Sequence, residues 1–157
     1  MNKIKTLLRS ILTPILLGFF VFLLIPDMGD RFQNVIRPPL SPPGWVFMVV
    51  WPVLYGLMGV AAFLVKTDET APRGEIRPAV KLYRWQLALN LLWSPVFFLW
   101  HWYGIAVIEL LILLCVLVLT VLRFFRVRPA AGWLLMPYLL WSLFALYLTT
   151  GVWILNK

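Results

Sequence analysis

The sequence predicts an all-α fold, an integral membrane bundle of five transmembrane helices. Of its 157 residues, 62% are hydrophobic and only 13% are charged, and the charges fall in short breaks between long apolar runs. Soluble domains carry about 25% charged residues. A membrane-spanning helix needs about 20 predominantly apolar residues, and five segments approach that length. They lie at 6–25, 45–65, 82–100, 104–122 and 131–155, within a single domain, 1–157.

The first two predicted helices are bounded by different signals. A basic N-terminus precedes the first, and Pro26 follows it. Because the apolar run lacks a small-x-small cleavage site, we expect a retained helix rather than a signal peptide. The second helix lies in 38–65, which contains no charged residue.

The last three predicted helices are closely connected. Only His101, Trp102 and Tyr103 separate the third from the fourth, which predicts a tight antiparallel hairpin. The fifth lies in another uncharged stretch, 129–156. Backbone polar groups in hydrocarbon must be satisfied within the chain, so helices are the expected form.

The first loop, 26–44, is long for a helix–helix connection. Loops of this length often act as lids or binding loops. Prolines at 38, 39, 42 and 43 restrict themselves and the residues before them, so we expect 38–44 to be extended. The loop is therefore a candidate lid over a ligand site.

The net charge of +8 is distributed as in membrane proteins. We find no basic helix face and no aromatic-interleaved basic stripe, so no nucleic-acid partner is predicted. Cytoplasmic loops are enriched in Lys and Arg, which predicts a cytoplasmic N-terminus and an external C-terminus in an inner or plasma membrane. The predicted cytoplasmic side carries eleven basic residues and the other side three: Lys3, Lys5, Arg9, Lys66, Arg73, Arg77, Lys81, Arg84, Arg123, Arg126 and Arg128 against Arg31, Arg37 and Lys157.

Signatures of catalysis are missing from the sequence. It has one His and one Cys, too few for a zinc site or a bis-ligated haem, and we predict no metal site. No phosphate-binding loop or nucleophile elbow is present. We therefore expect no obligatory cofactor and favour a binding protein over an enzyme.

Tryptophans and prolines indicate where a ligand could bind. Four of the predicted helices contain a proline, which is either a tolerated irregularity or a bend that leaves a cavity. Trp51, Trp93 and Trp141 lie deep in the spans, where they either pack as core or wall a flat aromatic ligand. Five other tryptophans lie near span ends and are expected to form interface belts: Trp45, Trp85, Trp100, Trp102 and Trp133.

Two polar residues within the spans need partners. Asn90 is costly in hydrocarbon unless paired, so it must meet a neighbouring helix or a ligand. Glu109 lies about one turn inside the fourth predicted helix, and an intramembrane carboxylate is a functional candidate. Because Glu109 also lies near the outer membrane surface, a purely structural pairing with another polar group is an equally good alternative to a functional role.

Three stretches, 42–59, 86–98 and 137–145, carry a resemblance. They include Pro-Pro-Gly-Trp-Val-Phe leading to Trp-Pro-Val-Leu-Tyr-Gly, then Asn-Leu-Leu-Trp-Ser-Pro, then Pro-Tyr-Leu-Leu-Trp-Ser. In this order and spacing they resemble a bacterial form of the translocator protein family, also called TspO or peripheral-type benzodiazepine receptor. The resemblance implies a five-helix bundle in the lipid bilayer, often a homodimer. It also implies binding of porphyrins such as protoporphyrin IX and haem, and of isoquinoline carboxamides and benzodiazepines.

The resemblance implies a pocket between the helices beneath the first loop. The positions that match family pocket residues or flank them are Pro42, Pro43, Trp51, Asn90, Trp93, Phe97, Trp141, Ala145 and Leu148. Within the family, Trp51 and Trp141 correspond to a pair implicated in light-dependent porphyrin breakdown. We therefore expect a porphyrin-binding receptor, sensor or transporter. Two alternatives stay open: a photo-oxidative porphyrin-degrading enzyme, and a regulatory membrane subunit without a small ligand.

Overall fold

The computed structural model describes residues 2–157, which fold into six α-helices. Five are long and one is short, and the all-α fold class is confirmed. In chain order they are α1 (Lys3–Leu24), α2 (Met28–Gln33), α3 (Gly44–Lys66), α4 (Arg73–Phe98), α5 (Tyr103–Val127) and α6 (Pro129–Leu155).

Four of these helices, α1, α3, α5 and α6, are long and apolar enough to cross a membrane. The remaining long helix, α4, falls short of that measure because charged residues occupy its first turns and Gln86 and Asn90 interrupt the rest. It nevertheless packs closely against α5, and its part 85–98 carries no charge. With its apolar outer surface, the chain is an integral membrane protein.

The long helices pack in a ring in which chain neighbours are not always spatial neighbours. Helix α5 packs closely against α4 and α6, and α3 packs against α1 and α6. A close approach joins α1 to α3 at Gly59, where an added Cβ would lie 2.5 Å from Cα of Ile11. Only glycine fits there, because that distance is far below van der Waals contact.

The beginning of α4 differs from the predicted span. The helix begins at Arg73 rather than at the predicted residue 82, because a helix can continue into water beyond its apolar part. As a result Arg73, Arg77, Lys81 and Arg84 recur at helical spacing and are all exposed. The expectation that the sequence has no basic helix face was wrong for this segment.

The first loop also holds more structure than expected. Residues 28–33 form the short helix α2, and Leu40 adopts φ 65°, in the left-handed region, within a turn at Pro39–Leu40. The segment 38–44 is therefore not continuously extended. Phe32 of α2 is buried and anchors the loop to the bundle by edge-to-face packing on Phe47, with ring centroids 5.1 Å apart.

Two buried clusters form the core. The larger one joins α3, α4, α5 and α6 around Met58, Leu117 and Tyr138. The smaller one lies under the first loop and includes Phe32 and Phe97. The five belt tryptophans predicted from the sequence are all exposed, as expected for side chains at the membrane interface.

Candidate functional site

A small cavity lies where α3, α4, α5 and α6 converge. Its volume is about 10 Å³, which is room for about one water molecule. Helices α3 and α4 contribute Trp51, Asn90 and Trp93, and α6 contributes Ala145. The remaining lining residues are Leu110, Leu113 and Ser142.

A hydrogen bond between helices fixes the polar group of this cavity. The hydroxyl of Tyr55 donates to Oδ1 of Asn90 at 2.8 Å, and both side chains are buried. Asn90 therefore has the helix partner that its cost in hydrocarbon demands, and it still contributes to the cavity wall. The two alternatives considered for Asn90, helix contact and ligand contact, are compatible in this geometry.

Aromatic rings surround the cavity on two sides. Trp51 packs against Tyr55 and Tyr138, with centroid distances of 5.5 and 6.5 Å. Trp93 stacks on Phe97 at 5.0 Å with an interplanar angle of 22°. These rings present apolar faces on which a flat ligand could stack.

Trp141 lies beside the cavity rather than in its wall. Its ring packs edge-on between Phe47 and Phe144, at 5.8 and 5.6 Å. Phe144 in turn stacks on Tyr147 at 6.2 Å. Because Phe47 also contacts Phe32, an aromatic row runs from the first loop to α6.

The other predicted site residues lie toward the first loop. Phe97 and Leu148 are buried in the smaller core cluster beneath it. Pro42 and Pro43 lie in the strand-like segment that leads into α3, with Pro43 at the N-cap of that helix. The predicted residues thus form an inner group at the cavity and an outer group under and within the loop.

The first loop is tied to the last turns of α6. Asn156 and Ile36 exchange two hydrogen bonds, Ile36 N to Oδ1 at 3.0 Å and Nδ2 to Ile36 O at 2.8 Å. The Tyr147 hydroxyl donates to the carbonyl oxygen of Pro39 at 2.7 Å. We call residues 26–43, which include α2, the lid, because these bonds place them over the end of the bundle.

The lid arginines are engaged within the protein. Arg31 donates from Nη1 to the carbonyl oxygen of Phe98 at 3.3 Å and from Nε to that of Pro26 at 3.2 Å. The guanidinium carbon of Arg37 lies 5.8 Å from the ring centroid of Phe32. The bond to Phe98 joins the lid to the end of α4, whereas the contact between Arg37 and Phe32 lies within the lid.

Two indole groups offer unused donors near the cavity. Nε1 of Trp93 and Nε1 of Trp141 are buried and form no hydrogen bond with any residue in 2–157. A buried donor without a partner is unfavourable by about 1–3 kcal/mol. A ligand acceptor that reached either N–H would remove that cost.

Sequence comparison identifies the kind of protein that carries this site. A family model described as the TspO/MBR family matches residues 10–154. The chain belongs to the TspO/MBR family. It is 36% identical to the tryptophan-rich protein TspO of Chlorobaculum tepidum over 99% of both chains.

Other TspO/MBR relatives are named as a sensory protein or as a translocator protein. The tryptophan-rich sensory protein of Cereibacter sphaeroides is 36% identical, with 76% of this chain and 72% of that protein covered. The translocator protein of Homo sapiens is also 36% identical, over 78% of this chain and 72% of its own length. The resemblance seen in the three sequence stretches is thereby confirmed.

Three lining residues of this TspO/MBR chain were not predicted. Leu110 and Leu113 belong to α5, which is apolar around its whole circumference, so periodicity gives no sign of which leucines face inward. Ser142 on α6 is the third. Its place in the wall follows from its position three residues before Ala145 on α6.

Glu109 is buried next to the lining residue Leu110 on α5. Neither carboxylate oxygen has a hydrogen-bond partner in the described chain. The structural pairing considered for Glu109 is therefore not seen among residues 2–157. The same residues contain no group of three or more His, Cys, Asp or Glu side chains that could hold a metal ion.

Proposed function

We propose that this TspO/MBR protein is a membrane receptor or transporter-like protein that binds flat hydrophobic ligands, porphyrins foremost, between α3, α4, α5 and α6. The observation that carries this proposal is the convergence of Trp51, Asn90, Trp93 and Ala145 on one cavity. An apolar, aromatic-lined space with a few polar groups is typical of small-molecule sites. Protoporphyrin IX, haem, isoquinoline carboxamides and benzodiazepines enter as ligand classes through the family resemblance.

Ligand binding requires the cavity to widen. Pockets for such ligands occupy roughly 300–1,000 Å³, whereas the present space is about 10 Å³. The aromatic row through Phe47 and Trp141 and the lid above it are the elements whose displacement would open the space. The lid is joined to α6 by hydrogen bonds of Ile36 and Pro39 and to the bundle by the buried ring of Phe32, and we propose that these contacts break for binding and re-form over the ligand.

The binding energy would come mainly from apolar contact. Burial of apolar ligand surface contributes about 25 cal/mol per Å². The free N–H groups of Trp93 and Trp141 would add hydrogen bonds to carboxylate or carbonyl oxygens of the ligand. This combination favours planar molecules with an acceptor group, which is the chemistry of a porphyrin propionate or a carboxamide.

We also propose the membrane arrangement. The eleven-to-three distribution of basic residues supports a bacterial inner membrane with the N-terminus in the cytoplasm. In this arrangement the lid and the cavity face the external side. A homodimer is proposed from the family resemblance.

The test is a titration of purified protein with protoporphyrin IX, followed by Soret absorbance and tryptophan fluorescence in the dark. We expect saturable binding with quenching of the inner tryptophans. A Trp51→Phe/Trp141→Phe variant should lose most of the quenching. The control variant Trp100→Phe/Trp133→Phe, which changes two exposed belt residues, should keep it.

Repeating the titration under illumination separates binding from degradation. A receptor or transporter leaves the porphyrin spectrum intact when lit. If the porphyrin is consumed in light by the wild type and not by the Trp51→Phe/Trp141→Phe variant, the degrading enzyme is the correct function. If neither binding nor consumption occurs, the regulatory subunit without a ligand is favoured.

A further inference from the structure

The end of the bundle where α3 meets α4 forms a second, larger cavity of about 510 Å³. It lies on the same side as the N-terminus, opposite the lid. Three basic side chains line it together with two acidic and two apolar ones. We call it the basic cradle; its residues are Lys66, Asp68, Glu69, Ala71, Arg73, Ile76 and Arg77.

The acidic groups of the cradle are neutralised by partners of their own. Asp68 accepts hydrogen bonds from the Thr70 hydroxyl at 2.7 Å and from the N–H groups of Thr70 and Ala71 at 2.9 and 2.8 Å. The Thr70 hydroxyl and these N–H groups lower the pKa of the Asp68 carboxyl. Its other oxygen, Oδ2, lies 3.9 Å from Nη1 of Arg128, a residue outside the cradle.

Glu69 is paired in the same way. Its Oε1 lies 2.9 Å from Nζ of Lys3, a residue outside the cradle. The two carboxylates of the cradle are therefore each offset by a cation from another part of the chain. They leave the three basic groups of the cradle uncompensated.

Lys66, Arg73 and Arg77 have no carboxylate within 4.0 Å in the described chain. Lys66 is partly buried and donates from Nζ to Oγ of Ser10 at 3.3 Å. Arg84 lies near enough to repel it electrostatically. Three like charges held around one concavity, none of them in an ion pair within residues 2–157, attract an anion.

The basic face of α4 extends this site toward the membrane. It runs from Arg73 through Arg77 and Lys81 to Arg84, and Trp85 follows directly, with 59% of its surface exposed. Tryptophan at such a position marks the level of lipid headgroups. Arg84 therefore lies at headgroup level beside Trp85, and the basic face of α4 connects that level to the cradle, about two to three helical turns further along α4.

We propose that the basic cradle binds the phosphate headgroup of an anionic phospholipid. Arg73 and Arg77 supply several N–H donors and Lys66 supplies a point charge, the groups that proteins use for phosphate. Basic pockets beside transmembrane helices are suited to anionic headgroups. The site differs in position and chemistry from the aromatic cavity and does not depend on the function proposed for that cavity.

The experiment counts lipids that stay bound to the purified protein, by native mass spectrometry after exchange into mixed phosphatidylglycerol and phosphatidylcholine. The wild type should retain phosphatidylglycerol preferentially. Each basic residue that contacts the bound headgroup contributes about a fivefold preference. Lys66→Gln/Arg73→Gln/Arg77→Gln should therefore reduce retention about 100-fold. The control should retain phosphatidylglycerol as the wild type does. It is the charge-matched variant Lys5→Gln/Arg9→Gln/Arg126→Gln, whose positions lie on the same side but outside the cradle.

Two outcomes overturn the proposal: equal retention by the cradle variant and wild type, or an equal loss in the control. If the triple variant does not fold, single Arg77→Gln should lose about fivefold and Arg77→Lys should lose less. A second experiment distinguishes a soluble phosphate ligand from a lipid headgroup. Millimolar inorganic phosphate or glycerol 3-phosphate is added to lipid-free protein in detergent, and thermal stability is measured. Thermal stabilisation by these anions without phosphatidylglycerol retention would assign the cradle to a soluble phosphate and overturn the lipid assignment.

Discussion

The hydroxyl of Tyr55 donates a 2.8 Å hydrogen bond to Oδ1 of Asn90 and so joins α3 to α4 at the wall of the aromatic cavity. Both residues are buried, and Asn90 is only 4% exposed. The bond holds the one amide of the wall in a defined position next to Trp51 and Trp93. It is therefore a determinant of both stability and site geometry.

Tyr55→Phe should lower the free energy of unfolding by about 1–3 kcal/mol, because it leaves the buried Asn90 oxygen unpaired. Unfolding in mixed micelles, followed by circular dichroism, measures this change. Tyr103→Phe is the matched control, since the Tyr103 hydroxyl forms no hydrogen bond within residues 2–157. A Tyr55→Phe variant as stable as the Tyr103→Phe variant would contradict the role assigned to the bond.

The contact between α1 and α3 gives a prediction with an internal control. An added Cβ at Gly59 would lie 2.5 Å from Cα of Ile11 and 2.6 Å from O of Ser10, whereas one at Gly56 meets nothing within 4 Å. Gly59→Ala should therefore destabilise the protein by about 1–3 kcal/mol through overpacking. Gly56→Ala should be neutral or stabilising by up to about 1 kcal/mol.

Thermal unfolding of the two glycine variants in the same detergent makes the comparison. Each replaces hydrogen by methyl in the same helix, so intrinsic helix propensity cancels between them. Equal midpoints for the two variants would show that α1 does not approach α3 as closely as described.

The lid gives a prediction about dynamics. Asn156→Ala removes both hydrogen bonds to Ile36, so the lid should open more often. We expect faster hydrogen exchange in residues 34–40 and faster association and dissociation of protoporphyrin IX. Asn34→Ala is the control, because Asn34 lies in the same loop and its side chain is exposed. Unchanged exchange in the Asn156→Ala variant would mean that these bonds do not hold the lid.

The sequence predicted the helices well because the bilayer imposes a simple requirement on length and polarity. It predicted α4 less well, since the apolar segment marks only the part within the membrane and the helix continues to Arg73. Helix α2 and the turn at Leu40 were also missed. Both depend on how the loop packs on the bundle, for example through Phe32, and not on local composition.

Prediction of the site was limited by a similar cause. Trp51, Asn90, Trp93 and Ala145 were named from the family resemblance, and the structure brings them to one cavity. Leu110 and Leu113 were not named, because a helix that is apolar on every side does not reveal its inner face. The partner of Asn90 could not be chosen in advance either, since several tyrosines lie within the spans.

Membrane topology can be tested by labelling. In a Cys115→Ala background, Asn34→Cys should react in intact cells with an impermeant maleimide and Gly74→Cys should not. Both positions accept the change, since Asn34 is exposed and Gly74 has open space around it. The reverse pattern of labelling would place the N-terminus outside.

The central claim, that ligands bind between the helices at the aromatic cavity, is tested most directly by filling that cavity. Ala145 lines it, whereas Ala88 is exposed on the outer surface of α4. Protoporphyrin IX affinity should fall at least about tenfold in Ala145→Phe, because the added ring occupies ligand space, and fall less in Ala145→Thr. Ala88→Phe should bind as the wild type does. Wild-type affinity in a folded Ala145→Phe variant would contradict the account, because the ligand would then bind elsewhere.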